Sequence, residues 1–449
     1  MGKFHIHPAV LEVAHIFRNH DKEVYLVGGA VRDLVRGKPA KDWDLATNAK
    51  PEEVQAMFRR VIPTGIKHGT VTILYKGLSI ETTTFRTEGS YSDGRRPDTI
   101  SFTNTIEEDL SRRDFTMNAL ALELPDQRLV DPYQGQKDIK DRIIRCVGDA
   151  TARFSEDGLR PLRAIRFAAQ LQFTIEPQTL EAIPSALPIT ARVAMERVRD
   201  EMDKILASER PSTAFRLMET TGLLSLLLPE LQACRGVEQK GFHQFDVLDH
   251  LLLSCDAAPK EKLQVRLAAL FHDIGKPAVR AQDELGIWTF YRHEEVSEKM
   301  ARSIMLRLKY PNAIIDQVCH LIAVHMFHYD DSWTDAAVRR FIVRVGEAAL
   351  EDLLDLRRSD TWGTTGREPP ADLNGPLLDR VKSVLAKDKA LSIKDLAVNG
   401  EDLARLGIPR GPVMGKILQE LFDTVLDDPE QNTKETLSHI AERLYEKYT

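Results

Sequence analysis

The period of the apolar positions changes about a third of the way along the chain. Up to about residue 145, short β-branched and aliphatic runs alternate with brief amphipathic stretches. EVYLVGG reads as a buried strand ending in glycines and AVRDLVRG as a short helix. WDLAT, VTILYKG and LSIETTTF read as strands with turn signals between them. From about residue 150, apolar residues recur at steps of three and four, in LRPLRAIRFAAQL, AMERVRDEMDKILAS, STAFRLMETTGLLSLLLPEL, PNAIIDQVCHLIAVH and DAAVRRFIVRVGEAALEDLLDLRRSD. The pattern predicts an α+β chain: a small mixed-sheet head over 1–145, then all-α segments over 146–235, 243–362 and 372–449. The Gly/Pro-rich stretch GTTGREPPADLNGP (363–376) is the expected linker before the last of these.

Composition narrows the class without choosing a function. Of the 449 residues, 43% are hydrophobic and 29% charged, the balance of a soluble globular protein with more than one core. No apolar run approaches the roughly 18 residues of a membrane span. The start, MGKFHIHPAVLEVAHIF, has neither a signal-peptide core nor a myristoylation pattern. The four cysteines, Cys146, Cys234, Cys255 and Cys319, form no CxxC pair, so the cytoplasm is the expected compartment. A net charge of −7 means that any RNA contact must come from local Lys/Arg patches.

Candidate chemistry concentrates in Val27-Gly28-Gly29-Ala30-Val31-Arg32-Asp33 and Lys41-Asp42-Trp43-Asp44-Leu45. Alternate residues of a strand face the same way, so Asp42 and Asp44 are expected to present two carboxylates side by side. Such a pair suits Mg²⁺, and paired metal ions serve an attacking hydroxyl and a departing pyrophosphate. The glycines admit close approach of backbone amides to a triphosphate, with Arg32 adding charge. A bare Asp-x-Asp is more often a solvated strand end, so the motif needs company. Glu81, in LSIETTTF, is open between a third acid and an exposed strand residue.

That company is present. GGAVRDLVRGKPAKDWDLAT resembles the first motif of class II CCA-adding enzymes and bacterial poly(A) polymerases, within the DNA polymerase β superfamily. TTFRTEGSYSDGRRPD resembles the family's flexible loop, RRDFTMNALA its second motif and VDPYQGQKDIKDRIIRCVG its third. EDGLRPLRAIRF resembles the fourth and ERVRDEMDKIL the fifth. Motifs in this order over residues 24–206 are far more specific than any one alone. The resemblance implies a palm-like catalytic head with Mg²⁺ at Asp42 and Asp44. It implies contacts from Gly29 and Arg32 to triphosphate and ribose, and from Arg113 to phosphate. It further implies that Asp157 and Arg160 hydrogen-bond the base edge of CTP or ATP in place of a nucleic-acid template, with Arg163 and Arg166 adding nucleotide contacts.

Three residues apart, Asp157 and Arg160 are expected to be neighbours on a helix. By spacing alone they also read as a surface ion-pair ladder. Gly158 and Pro161 depart from the helix formers usual in the family. With Ser155 as N-cap, Pro161 falls just past the first turn, and a kink beside the pair is expected. The implied reaction is addition of CMP, CMP and AMP to the 3′ end of tRNA, with tRNA, CTP and ATP as partners. RRDFTMNALAL reads like the CCA group, and Arg86–Pro97 like the full-length loop that CC-only enzymes tend to lack. Addition of A alone and poly(A) synthesis stay open. Serving all tRNAs implies recognition of shape and backbone.

A second constellation occupies 243–360: His250, His272-Asp273 in LAALFHDIGKP, His293, His325 and Asp360. One histidine on an apolar helix is usually a satisfied core residue. The six together resemble the HD phosphohydrolase pattern, which implies a fused HD domain with a second divalent-metal site, of open identity, acting on phosphomonoesters or cyclic phosphodiesters. Lys276 is expected on substrate phosphate, and His328 outside the set. The segment reads either as an active hydrolase or as a helical tRNA-binding surface. A contrary reading of the whole chain, an HD hydrolase with a non-catalytic RNA-binding head, is opposed by the intact Asp42, Asp44, Arg32, Asp157 and Arg160. The tail segment NGEDLARLGIPRGPVMGKILQEL is similar to the C-terminal region of class II CCA-like proteins, with Arg410 and Lys416 expected near tRNA. A plain helix–turn–helix packing unit is the alternative there.

Overall fold

The structure, a computed structural model, describes residues 4–89, 99–239, 244–387 and 391–448. Residues 90–97 of the expected flexible loop lie outside the described residues. The chain divides into two compact units, Met1–Gln232 and Ala233–Thr449.

The first unit opens with strands β1 (Val24–Val27), β2 (Asp44–Thr47), β3 (Val61–Gly65), β4 (Thr70–Tyr75), β5 (Leu78–Thr84), β6 (Arg86–Glu88), β7 (Ile100–Phe102), β8 (Ala121–Glu123) and β9 (Arg128–Val130). Seven build one sheet in the order β3-β4-β5-β2-β1-β8-β9, and β6 pairs with β7 as a separate ribbon. Within the sheet β2 and β5 run parallel, and the other neighbours are antiparallel. The apolar run of β1 is buried along its whole length. Along β5, by contrast, Ile80, Thr82 and Thr84 turn inward while Ser79 and Glu81 stay exposed, the period-2 alternation of a half-buried strand.

Gly28, at φ 69° and ψ −134°, turns the chain out of β1 and into the helix Gly29–Val35, a backbone region open to glycine. This turn overturns one expectation. The β1–β2 ladder runs from Val24 with Thr47 to Leu26 with Leu45 and then stops. Residues 41–43 have no β1 partner, so Asp42 lies in a bend before β2 rather than beside Asp44 on one strand.

Apart from a short parallel pair, Ile143–Ile144 with Thr174–Ile175, the later part of this unit is mainly helical, including Ala150–Glu156, Arg160–Leu171 and Met195–Leu206. Phe154, Leu162, Ile165, Ile205 and Phe215 are fully or almost fully buried in its core. The expected kink at Pro161 is instead a complete break. Asp149, not Ser155, caps the first helix by accepting from the Ala152 amide, while Ser155 Oγ donates to the Ala152 carbonyl at 2.6 Å. The second helix starts at Arg160 with Pro161 in its first turn, where the missing N–H costs nothing. Asp157 is extended, at φ −140° and ψ 111°, so Asp157 and Arg160 do not share a helix. Gly158 is explained by close approach: a Cβ there would stand 2.7 Å from the Ile189 carbonyl group.

In the second unit, helices Val247–Ala257, Leu263–Phe271, His293–Arg307, Asn312–Val324, Asp335–Val345 and Leu350–Thr365 precede Gly375–Lys387, Pro412–Asp427 and Lys434–Tyr448. The helical run expected through 335–360 is split at Gly346, whose φ of 78° stops the first helix. The second continues to Thr365 and ends on Gly366 at φ 66°. The coil before Gly375 is therefore shorter than the expected linker 363–376. Among the described residues, no helix is long and apolar enough to cross a membrane.

Candidate active site and a second candidate metal centre

A cleft of about 360 Å³ in the first unit is lined by the carboxylates Asp44 and Glu81 among others. The parallel register sets these two residues opposite each other. Glu81 is therefore brought to Asp44 by strand pairing. The Asp44 tip is open to the cleft, yet the walls desolvate it. Burial, then the charges of Glu81 and Asp42, push its carboxyl up to about 6 against the opposing pull of Arg113. A carboxylate raised by burial and by neighbouring acids marks unmet negative charge, a donor set suited to a hard divalent cation. Asp42, Asp44 and Glu81 do not close as a triad: among the described residues, the groups whose ligand atoms all lie within 4.8 Å are His/Asp clusters of the second unit.

Arg112, Arg113 and Arg163 also line the cleft. Arg113 packs under the turn before the first helix, where a Cβ on Gly28 would lie 3.1 Å from its Nη1. Its Nη2 donates to buried Asp109 at 3.3 Å. Arg163 clasps Asp114 through Nε at 2.9 Å and Nη2 at 2.6 Å. Burial would raise the Asp114 carboxyl, but Arg163 overrides it and holds it at about 2.

Asp157, Arg160 and Arg197 complete the charged lining. No Asp157–Arg160 ladder forms. Arg160 is buried, pairs with Glu156 and donates to the carbonyls of Arg153 at 2.8 Å and Arg112 at 3.2 Å. Asp157 is instead gripped at both oxygens by Arg197, at 3.2 and 2.8 Å. Sequence reasoning quoted Arg197 within ERVRDEMDKIL but did not single it out, because one arginine on an amphipathic helix carries no distinguishing spacing. Gly29, Arg32 and Arg166 do not line the cleft. Arg32 is held by Asp33 at 3.0 Å and Asn118 at 2.9 Å. Arg166 pairs with Glu201 at 2.5 Å and lies 3.8 Å over the Phe167 ring. Both support the cleft wall from behind.

Arg197→Met is expected to leave the Asp157 carboxylate without its bidentate partner and to lower stability by about 1–3 kcal/mol. An unchanged melting temperature would show that this pair does not brace the cleft.

In the second unit, all six expected side chains converge. His250, His272 and Asp273 form one group and Asp273, His293 and His325 another, sharing Asp273. His250 Nε2 lies 3.1 Å from His272 Nε2 and 3.2 Å from both Asp273 Oδ2 and Asp360 Oδ1. His293 Nε2 lies 3.0 Å and His325 Nε2 3.9 Å from Asp273 Oδ1. The other ring nitrogens explain this aim. Nδ1 of His272, His293 and His325 meets the carbonyl three residues earlier, at 3.0, 2.8 and 2.7 Å. A carbonyl only accepts, so each Nδ1 carries the hydrogen and each Nε2 turns its lone pair to the centre, the arrangement of metal-bound histidine. Asp273 is buried, which would raise its carboxyl, but Lys276 and the histidines hold it well below the usual range.

Lys276 is not free for substrate phosphate, as expected from sequence: its buried Nζ donates to Asp273 Oδ2 at 2.6 Å and to Gln239 at 2.6 Å. His328 is exposed and outside the cluster. Gly363 sets the helix approach that brings Asp360 to His250. A Cβ there would stand 2.0 Å from Ser254 Oγ and 2.7 Å from the His250 carbonyl oxygen. Helix propensity favours Gly363→Ala by about 1 kcal/mol, while forcing backbone apart costs about 1–3 kcal/mol. The melting temperature is therefore expected to move little, whereas divalent-metal affinity, read by titration calorimetry, should fall about tenfold or more. Unchanged affinity would show that this helix approach does not set the cluster.

Three family models match the chain: Poly A polymerase head domain over residues 24–145, the probable RNA and SrmB-binding site of polymerase A over 172–234, and tRNA nucleotidyltransferase domain 2 over 279–441. The CCA-adding enzyme of Geobacillus stearothermophilus is 35% identical over 429 residues, 95% of this chain and 94% of that protein. That of Levilactobacillus brevis is 36% identical over 422 residues, 92% of each. Among solved structures, the Bacillus stearothermophilus CCA-adding enzyme in complex with CTP is similar at a TM-score of 0.75 and 31% identity, over 99% of both chains. The Thermotoga maritima CCA-adding enzyme complexed with tRNA shares the fold at a TM-score of 0.55 and 22% identity, over 98% of this chain and 96% of that one. Likeness of this extent, covering the acidic cleft and the helical remainder alike, makes the chain a member of the CCA-adding enzyme family of nucleotidyltransferases.

Proposed function

We propose that the first unit adds CMP, CMP and AMP, from CTP and ATP, to the 3′ end of tRNA without a nucleic-acid template. One observation carries the reading: a single cleft is lined by the paired-strand carboxylates Asp44 and Glu81, by Arg112, Arg113 and Arg163, and by Asp157 with Arg160. Asp44 and Asp42 would hold Mg²⁺, which would supply charge neutralisation to a triphosphate and lower the pKa of an attacking 3′-hydroxyl. Arg113 and Arg163 take the phosphate charge, and the base lies against Asp157 and Arg160, whose acceptor and donors suit the amino and ring-nitrogen edges of cytosine and adenine. The 3′-oxygen bonds to the α-phosphorus, the α–β bridging bond breaks, and pyrophosphate leaves. Glu81 is the third acid beside Asp44. The test is extension of a tRNA lacking CCA with CTP and ATP, separately and together. Growth by three nucleotides is expected. Extension of only a CC-ended tRNA would make the protein an A-adding enzyme, and a long A tail on unrelated RNA a poly(A) polymerase.

A second reading is favoured by the aim of three histidine Nε2 atoms at Asp273, that of His272 toward Oδ2 and those of His293 and His325 toward Oδ1. We infer that residues 243–362 form an HD-type centre in which His250, His272, Asp273 and Asp360 hold one divalent metal ion and Asp273, His293 and His325 a second. Such ions supply hydroxide for hydrolysis of phosphomonoesters or cyclic phosphodiesters.

A further inference from the structure

Arg357 stands one helical turn before Asp360 on Leu350–Thr365, and Asp360 is the charge that acts on it. Its guanidinium lies 5.0 Å from the Phe327 ring centroid. Phe327 follows directly on the metal centre, its amide donating to the His325 carbonyl at 3.1 Å. Arg357 Nη1 is sealed from solvent with no hydrogen-bond acceptor. Its neighbour Arg358, by contrast, is satisfied by Glu368 at 3.0 Å and the Pro370 carbonyl at 3.1 Å. A buried guanidinium nitrogen without an acceptor is costly, and each such group asks for a reason.

The other contacts of Phe327 supply one. Its ring packs on Phe341 at 4.9 Å, and Phe341 on Trp333 at 5.6 Å. These rings line a cavity of about 510 Å³ with Met326, Arg340 and Arg344 at its edge. Met326 is 54% exposed. Arg344 faces Phe341 at 5.9 Å, and Arg340 pairs with Asp427. An aromatic cavity with guanidinium groups in its lining fits a flat, electron-rich ring, and an arginine near Asp360 with an unmet Nη1 donor fits a phosphoryl oxygen. Both features meet at Phe327.

We propose that Arg357 and the Phe327–Trp333–Phe341 cavity form the substrate-orienting subsite of the second centre, Arg357 taking a phosphoryl oxygen and the cavity the base of a nucleoside monophosphate group. The proposal rests on the phosphohydrolase reading of that centre, and its test separates the two. Full-length protein loaded with Mn²⁺ is given adenosine 2′-monophosphate, ribose 5-phosphate, and an RNA oligomer ending in a 3′-phosphate. Arg357→Met should raise KM for the adenosine ester about tenfold with the Mn²⁺ stoichiometry unchanged, and Arg357→Lys should recover part of the loss. Trp333→Ala should lower the preference for the adenosine ester over ribose phosphate about tenfold. The lower KM, for free nucleotide or RNA end, identifies the natural source of the group. Unchanged KM in Arg357→Met, or loss of Mn²⁺ from it, would overturn the subsite, the latter leaving Arg357 a structural prop for Asp360.

If the wild type releases no phosphate, the hydrolase reading falls and binding decides the subsite. The readout is then quenching, by the adenosine ester, of the fluorescence that Trp333→Phe removes. Quenching that Arg357→Met abolishes upholds the subsite, and no quenching overturns it.

Discussion

Asp44→Ala is expected to lower nucleotide addition by about a thousandfold or more, roughly 4 kcal/mol of transition-state stabilisation, without unfolding the head. The carboxylate is the first residue of β2 and stands in register with Glu81, so its loss leaves Glu81 without its paired acid in the cleft. Its removal costs the fold little, because Asp44 is held in a strained electrostatic state. Burial, Glu81 and Asp42 raise its carboxyl to about 6, so the folded chain binds that proton more tightly than the unfolded one. In metal-free protein this group's contribution to stability therefore falls as pH rises from about 4 to 6, and its penalty is fully present above about 6. Asp44→Ala should then leave the melting temperature equal or higher at pH 8 in chelator while addition is lost. Asp42→Ala, whose carboxylate lies in the bend, should abolish addition too and leave tRNA binding intact. Addition surviving within tenfold in either variant would remove that carboxylate from the chemistry. Phosphate release surviving alongside lost addition would place the two reactions in separate centres.

The alternation of the first 145 residues and the helical period beyond them were legible because burial imposes those periods directly. β1 is apolar throughout since both its faces are covered, and β5 alternates since one face is wet. What escaped the pattern depends on where partners stop. Asp42 and Asp44 have strand spacing, but only Asp44 has a paired neighbour, because Gly28 turns β1 away. Asp157 and Arg160 have helical spacing, but Pro161 belongs to a first turn, so the helix begins after Asp157. Arg197, the actual partner of Asp157, is 40 residues distant in sequence, and no local period can announce such a contact. Gly158 looked like a departure, yet it is fixed by the Ile189 backbone against it. In the second unit the six ligand-type residues were legible as types at spacings. Their histidine tautomers were not, since those are set by carbonyls in the turn before each ring.

His272→Ala should abolish metal-stimulated phosphate release from 2′,3′-cyclic and 2′-phosphate esters while sparing nucleotide addition. The residues proposed for nucleotidyl transfer lie within Met1–Gln232 and the histidine cluster within Ala233–Thr449, so the two substitutions fall in different units. The loss in hydrolysis should be large because His272 is fully buried and no neighbour can move in to replace its Nε2 beside His250. Deleting it leaves a polar void against two carboxylates, Asp273 and Asp360, whose negative charge the histidines and Lys276 now offset. Removing one of those partners unbalances a buried charge cluster, at a cost of about 3–5 kcal/mol. Part of that cost should appear as a lower melting transition of the second unit, and part as lost metal affinity. Both are measurable without turnover, the first by calorimetry and the second by metal titration. His272→Gln, which keeps volume and a polar end, should restore the transition more than the metal. Phosphate release persisting in His272→Ala would detach the activity from this cluster. Absence of hydrolysis by the wild type with Mg²⁺, Mn²⁺ and Ni²⁺ would leave the six side chains as a buried polar network that holds five helices together.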